Sequence, residues 1–270
     1  MSGGNWDTSE LAERYDRISD SQFEKGTLLL RRMGISSGDR VLDVGCGTGR
    51  LALRVSQIVG TSGSVVGVDP SSQRLDVANE KIIRHEPRNV RFLIGRGEDL
   101  CGFSDSTFNH VYYSSVFHWI DDKLAALREA FRVLAPGGTI GMTTGDRENQ
   151  LTIGAISNSL FTEPPYAGQV QLEAASNKPV TRSELGSLLA EVGFRDIQVH
   201  LHERMRYFQT SADALGFAEA NSAGSILRHV PESLRDQALR DLSAKLEKLR
   251  TPGGIRLSTN SLVAVALKPK

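Results

Sequence analysis

The stretch Val41-Leu42-Asp43-Val44-Gly45-Cys46-Gly47-Thr48-Gly49-Arg50 constrains this chain more than any other. Val41, Leu42 and Val44 read as a short buried strand. Glycines follow at alternate positions, and Leu51-Ala52-Leu53-Arg54-Val55 resumes as a helix. Strand, glycine turn and helix make the first unit of a doubly wound α/β sheet. Without a Cβ, such a turn is tight and its backbone can lie directly against a ligand. The helix behind it aims its N–H groups and positive end at that ligand.

Two details narrow the ligand. A dinucleotide fingerprint needs a glycine at the sixth position of the turn, and here that position is Arg50. Asp43 stands two residues before the first glycine, where a carboxylate suits a cation such as a ligand ammonium better than a pyrophosphate. Ser64-Val65-Val66-Gly67-Val68 reads as the second strand and ends in Asp69, placed to accept from a ribose diol. An ammonium, a ribose and no phosphate describe S-adenosylmethionine.

The stretch Asp43 to Gly49, followed by Val68-Asp69, resembles motifs I and II of the class I S-adenosylmethionine-dependent methyltransferases. Phe108 to Ile120 and Leu134 to Gly138 resemble that family's fourth-strand and fifth-strand motifs. The nearest branch is the small-molecule one, which includes trans-aconitate, juvenile-hormone-acid and ubiquinone/menaquinone methyltransferases. The resemblance covers residues 10–145 well and the rest only in layout. It implies a Rossmann-like, doubly wound, seven-stranded sheet, mostly parallel with an antiparallel last strand. It further implies roles for single residues. Asp43, Gly45, Cys46, Gly47 and Gly49 hold the methionine end of S-adenosylmethionine, and Ser114 lines that side. Asp69 and Pro70 hold the ribose, and Gly97 and Glu98 border the adenine. Tyr15 and Gln22 belong to an N-terminal lid, although helix packing for Tyr15 and solvated surface for Gln22 serve equally well. Two departures stand out: Arg96 replaces an Asp that holds the adenine amino group, and Asn109 stands where relatives carry Asp. A guanidinium has no acceptor for that amino group, so adenine must lean on the backbone near Gly97, on Glu98 or Asp99, or on stacking by Arg96 itself.

Formal charge is zero, which argues against a broad phosphate-binding surface and so against nucleic acid. The N-terminal residues lack a basic and then apolar leader pattern, and no apolar run is long enough to span a bilayer. The two cysteines are Cys46, inside the glycine turn, and Cys101. A disulfide is thus not expected, and a reduced cytoplasmic protein, monomer or homodimer, is.

Three parts are expected: residues 1–40 as N-terminal lid helices, 41–145 as the cofactor-binding core, and 146–270 as the rest of the core. The last part should carry helical substrate-cap insertions near 149–180 and 211–250, since segments this long between core elements are more often lids than idle loops. Residues 1–10 should be mobile until ligand arrives. Leu11 to Met33 reads as helical, with Asp20 or Ser21 capping a second helix. Thr181 and Glu184 have capping-box spacing for a helix over 181–192. Pro136-Gly137-Gly138 should stop the helix that carries Leu124, Leu127 and Phe131. Residues 197–205 and 256–267 read as the sixth and seventh strands.

Some motifs point elsewhere. Glu163-Pro164-Pro165-Tyr166 looks like the Asn/Asp-Pro-Pro-Tyr motif of amino-group methyltransferases, but it follows the fifth strand where that motif must follow the fourth. His200 and His202 share a strand face, yet a metal site needs another converging ligand, and no metal is expected. His118 lies beyond the fourth strand, where residues face the ligand. It reads as a general base for a hydroxyl or thiol, or as a packing histidine beside Trp119. Carboxylate acceptors need no base at neutral pH, and Trp119 reads as a pocket wall or an N–H donor. The expectation is methyl transfer to a small-molecule acceptor, at a carboxylate or hydroxyl oxygen, giving S-adenosylhomocysteine. Carbon methylation of a quinone-like or other natural-product acceptor, or binding without catalysis, are the alternatives.

Overall fold

The computed structural model describes residues 7–85, 87–148, 152–170, 178–221, 227, 230–258 and 260–270. The chain divides into two compact units: residues 1–146, 178–201 and 261–270, and residues 147–177 and 202–260.

The first unit opens with helices α1 (Ser9–Ile18) and α2 (Asp20–Met33). Then β1 (Arg40–Val44), α3 (Arg50–Val59), β2 (Ser64–Asp69), α4 (Ser72–His85) and β3 (Val90–Ile94) alternate. β4 (Phe108–Ser114), a single 3-10 turn at Phe117–Trp119, α5 (Lys123–Val133) and β5 (Leu134–Gly145) follow. In the second unit lies α6 (Ile153–Phe161); the chain returns for α7 (Arg182–Val192) and β6 (Arg195–His202). The second unit continues with β7 (Met205–Phe208), α8 (Ser211–Asn221), α9 (Glu232–Glu247), β8 (Arg250–Thr251) and β9 (Gly254–Ser258), and β10 (Ser261–Leu267) completes the first.

The main sheet has seven strands in the order β3-β2-β1-β4-β5-β10-β6. β1 pairs in parallel with β2 and β4, while β10 runs antiparallel to β5 from Ser261↔Gly145 to Leu267↔Thr139. Side chains alternate between faces. Leu42, Val111, Tyr113 and Leu262 enter one core with Leu127 of α5 and Leu189 of α7. Val41, Tyr112 and Val263 enter the other with Leu29 of α2 and Val55 of α3. This buries both faces, as a parallel sheet requires, and reversal of strand order between β1 and β4 opens a crevice at the carboxyl edge.

The second unit carries the β7-β9-β8 sheet and α6, α8 and α9 around Phe161, Tyr166, Leu242, Leu246 and Ile255. Tyr166 is buried there and donates to Asp241 at 2.5 Å. Tyr166 is thus a core residue of this unit, while Pro164 before it is exposed.

Four local expectations change. The expected sixth strand splits after His202, with Met205–Phe208 going to the smaller sheet. The expected seventh strand splits likewise into β9 and β10. In each case a polar break, Glu203-Arg204 or Thr259-Asn260, interrupts the apolar run. α2 begins at Asp20 behind Ser19 without a side-chain cap; the Ser19 hydroxyl accepts from Arg50 at 3.1 Å and the Asp20 carboxylate accepts from Arg50 at 2.6 Å. α5 ends at Val133, where Leu134 is already extended with ψ 136°, before the Pro-Gly-Gly stretch. The Thr181–Glu184 capping box forms on both sides. Of residues 1–10, positions 1–6 lie outside the described residues. Asp7 is buried, and Thr8 caps α1 by accepting from the Leu11 N–H.

Candidate active site

Gly45, Gly47 and Gly49 all have positive φ, at 74°, 54° and 75°. Two of them are also needed sterically. A Cβ on Gly49 would come 2.5 Å from Phe92, and one on Gly45 would drive into Val116. At Gly47 the nearest protein atom is the Tyr15 ring, 3.9 Å away, so the requirement there is conformational alone. The Gly45 and Cys46 N–H groups donate to the Val68 carbonyl at 2.7 and 3.0 Å, and Gly47 N–H donates to Asp69 Oδ2 at 2.8 Å. Cys46 is buried, and its Sγ fills the space beside Gly67.

Two carboxylates lie buried under this turn. Asp69 also accepts from Ser71 N–H at 2.9 Å. Burial pushes its pKa up, against the two backbone bonds and the Arg74 charge. Asp43 accepts from the Tyr112 hydroxyl at 2.7 Å. Burial lifts it to about 7, with the Asp69 charge adding and the Tyr112 bond opposing.

Beside the turn opens a cleft lined by Val44, Gly45, Pro70, Gly95 to Glu98, Val116, Trp119 and Ile120. It brings together Gly45, Pro70, Gly97, Glu98 and Trp119 from the sequence reading. Arg96 lies on its wall in the position that departs from the family pattern. Glu98 Oε1 accepts from Asp121 N–H at 3.4 Å. Asn109 lies elsewhere, accepting from Arg40 N–H at the start of β1 at 2.9 Å.

The N-terminal helices are pinned to the turn by polar contacts that no motif announced. Asp16 Oδ1 accepts from the Thr48 hydroxyl at 2.6 Å and from the Lys81 ammonium, while Lys81 also donates to the Thr48 carbonyl. Arg50 donates to the Asp16 carbonyl and to Asp20. Asp7 accepts from Ser71 and Arg74 at 2.9 and 2.7 Å, and the Arg74 guanidinium lies over the Tyr15 ring. Arg50, which breaks the dinucleotide pattern, was the available signal. Gln22 Oε1 is buried with no protein partner among the described residues.

Beyond β4, Ser115 adopts φ 59°, unusual for a side-chain-bearing residue. Its N–H is held by Thr143 Oγ1 at 2.8 Å and by the Thr143 carbonyl at 3.0 Å. Ser114 Oγ packs against Gly26 of α2. His118 Nδ1 stands 3.4 Å from Thr144 Oγ1. Burial, then the Lys25 and Lys123 charges, lower its pKa to about 3, so the ring is neutral near pH 7. Its ring lies 5.2 Å from that of Trp119.

Comparison with known proteins agrees with this geometry. Residues 35–193, more than half of the chain, match the family described as methyltransferase domain. A demethylmenaquinone methyltransferase from Staphylococcus aureus is 36% identical over 135 residues, covering 48% of this chain and 55% of that protein. The chain thus spans about half the length of the curated relatives it matches. The Bacillus subtilis protein YcgJ shares the fold, with TM-score 0.65 and 18% identity over 92% of this chain and 99% of that one. So does a SAM-dependent methyltransferase from Aquifex aeolicus, at TM-score 0.55 and 17% identity over 96% and 98%. Among the described residues no helix is long and apolar enough to cross a membrane. With a glycine turn over two buried carboxylates at the switch point of a seven-stranded sheet, the chain belongs to the methyltransferase domain family, of the class I S-adenosylmethionine-dependent type.

Proposed function

We propose that this protein transfers the methyl group of S-adenosylmethionine to an oxygen of a small-molecule acceptor. The residues fit that donor. Asp43 and Asp69 offer buried carboxylates to an ammonium and a ribose. The cleft wall at Gly97, where a Cβ would crowd Val44, Tyr113 and Ile120 at 3.1 to 3.3 Å, suits a flat ring. When bound, S-adenosylmethionine supplies a methyl carbon already activated by a sulfonium, with the C–S pair leaving on sulfur. The chain's task is then alignment and exclusion of water. Tyr15, Asp16 and Gln22 close over the glycine turn, Asp43 and Asp69 orient the donor, and Ser114 lines the methionyl side.

The observation that carries the oxygen assignment is His118. With a pKa near 3 it holds no proton at neutral pH and has little affinity for one, so it is a poor general base. It serves instead as a polar wall beside Trp119. An acceptor that ionises unaided, a carboxylate, needs nothing more, and a hydroxyl is the harder substrate. A second reading, methylation of a quinone-like carbon, is favoured by the 36% identical relative. Residues 202–260 lie outside the family match.

Calorimetric titration with S-adenosylmethionine and S-adenosylhomocysteine tests the donor. Labelled-methyl transfer to small acids, phenols and quinols tests the acceptor. Label released as methanol by alkali marks a methyl ester; alkali-stable label marks carbon or ether methylation. Binding without transfer to any of them would favour a binding protein, and no binding would overturn the reading.

A further inference from the structure

The turn after β3 brings two charged residues to the cleft and turns a third away. Gly95 N–H donates to the Asp69 carbonyl at 3.2 Å, at the end of β2. Asp99 N–H donates to the Arg96 carbonyl at 3.2 Å and closes residues 96–99 into a tight turn. Behind it, the Leu100 N–H is held by the Glu129 carboxylate at 2.8 Å and the Leu100 carbonyl by Arg132 at 2.9 Å. The protein itself therefore fixes this turn at both ends. Gly97 is buried at its centre, and Arg96 and Glu98 line the cleft on either side of that glycine. Asp99 faces elsewhere: it is exposed, and its Oδ1 accepts from the Cys101 N–H at 3.2 Å.

We propose that Glu98 determines the purine specificity of the donor site by accepting a hydrogen bond from the 6-amino group of adenine. This rests on the methyl-transfer reading above and names the group that reads the donor's base. An amino group on the base edge offers hydrogens and needs an acceptor. Among the described residues that line the cleft, Glu98 alone carries a side-chain acceptor. Arg96 and Trp119 carry donors only, and the others are apolar or glycine. Glu98 Oε1 takes the Asp121 N–H at 3.4 Å. A carboxylate has about four acceptor positions, so this bond orients the group without exhausting it. Asp121 directly follows Trp119 and Ile120, which line the same cleft. The carboxylate is thus braced from the segment beyond β4. The acceptor stands two residues after Arg96, so Arg96 need not supply it, whatever else its guanidinium meets.

The test is calorimetry on the whole chain with S-adenosylhomocysteine and with S-inosylhomocysteine, in which an oxo group replaces the 6-amino group. The wild type should prefer the adenosyl compound by about tenfold or more, because the oxo oxygen leaves the carboxylate facing another acceptor. Glu98→Gln keeps the size of the side chain, and its amide can present either a carbonyl or an NH2. It should narrow the preference to within about threefold, by raising affinity for the inosyl compound as well as lowering it for the adenosyl one. A gain of inosyl affinity is a result that loosened structure would not give. Asp99→Asn should keep the wild-type preference. No adenosyl preference in the wild type overturns the proposal, as does an undiminished preference in Glu98→Gln. Loss of the preference in Asp99→Asn overturns it too, and would move the reading to Asp99. Failure of the wild type to bind either compound would be a separate result, removing the methyl-transfer reading beneath it.

Discussion

Tyr112 and Asp43 are register partners on adjacent strands, and the Tyr112 hydroxyl donates to Asp43 Oδ2 at 2.7 Å in a fully enclosed setting. The bond holds the carboxyl under the glycine turn, and burial holds its pKa at about 7. An unfolded aspartate titrates near ~3.9. The folded value is the higher one, so the proton on Asp43 stabilises the fold fully below about pH 4. That contribution is lost as pH rises to about 7. The interval corresponds to roughly 4 kcal/mol. Asp43→Asn should therefore gain stability over wild type above pH 7 in the absence of ligand, and show a flatter profile from pH 4 to 8 by urea unfolding. Parallel profiles would mean that another group titrates.

The same carboxyl should couple donor binding to pH. A ligand ammonium beside Asp43 favours the ionised form, so binding below about pH 7 expels a proton. Affinity for S-adenosylhomocysteine should rise between pH 5.5 and 7.5 and then level off. Calorimetry in buffers of different ionisation enthalpy counts the protons released. Tyr112→Phe removes a bond that lowers the Asp43 pKa, so the rise should move upward by roughly half a pH unit or more. A curve that Tyr112→Phe does not move would detach Asp43 from the ammonium.

Gly47 and Gly49 should separate function from folding. Alanine at Gly49 meets both positive φ and Phe92 at 2.5 Å, and should cost about 3 kcal/mol or more of stability. Alanine at Gly47 meets strain but no clash, a cost of about 1–2 kcal/mol. Its methyl would nonetheless stand where the donor approaches, so S-adenosylhomocysteine binding should fall by two orders of magnitude in a folded protein. Thermal melting and calorimetry on the pair decide this.

The main sheet was legible because its signals are local and redundant: Asp43 to Gly49, Asp69 and the Thr181–Glu184 box each carry their own chemistry. The second unit was not, because its strands continue apolar runs of the main sheet across short polar breaks at Glu203-Arg204 and Thr259-Asn260. Nothing local tells such a strand which sheet it joins. Gly45, Pro70, Gly97, Glu98 and Trp119 line one cleft, while Asp69 lies under the glycine turn. Lys25, Asp16, Lys81 and Ser115 did not stand out, because a lysine on an amphipathic helix or a serine after a strand is ordinary in sequence. Only the fold shows what each meets.

Asp16 is where the lid reading can fail most clearly. Its carboxylate gathers the Thr48 hydroxyl and the Lys81 ammonium, and its carbonyl takes Arg50. One residue of α1 thus ties that helix to the glycine turn and to α4. Burial lowers the Lys81 pKa, and Asp16 opposes that effect. Asp16→Ala leaves a half-buried ammonium without its carboxylate, a cost of about 1–3 kcal/mol. If α1 closes over the donor, the loss should appear in departure rather than arrival. Dissociation of S-adenosylhomocysteine by stopped flow should quicken about tenfold while association stays within threefold. Lys81→Met should reproduce part of this, and the double variant should lose less than the sum, because both substitutions break one contact. An unchanged dissociation rate would make the Asp16 cluster a brace for α1 alone, with no part in retaining the donor.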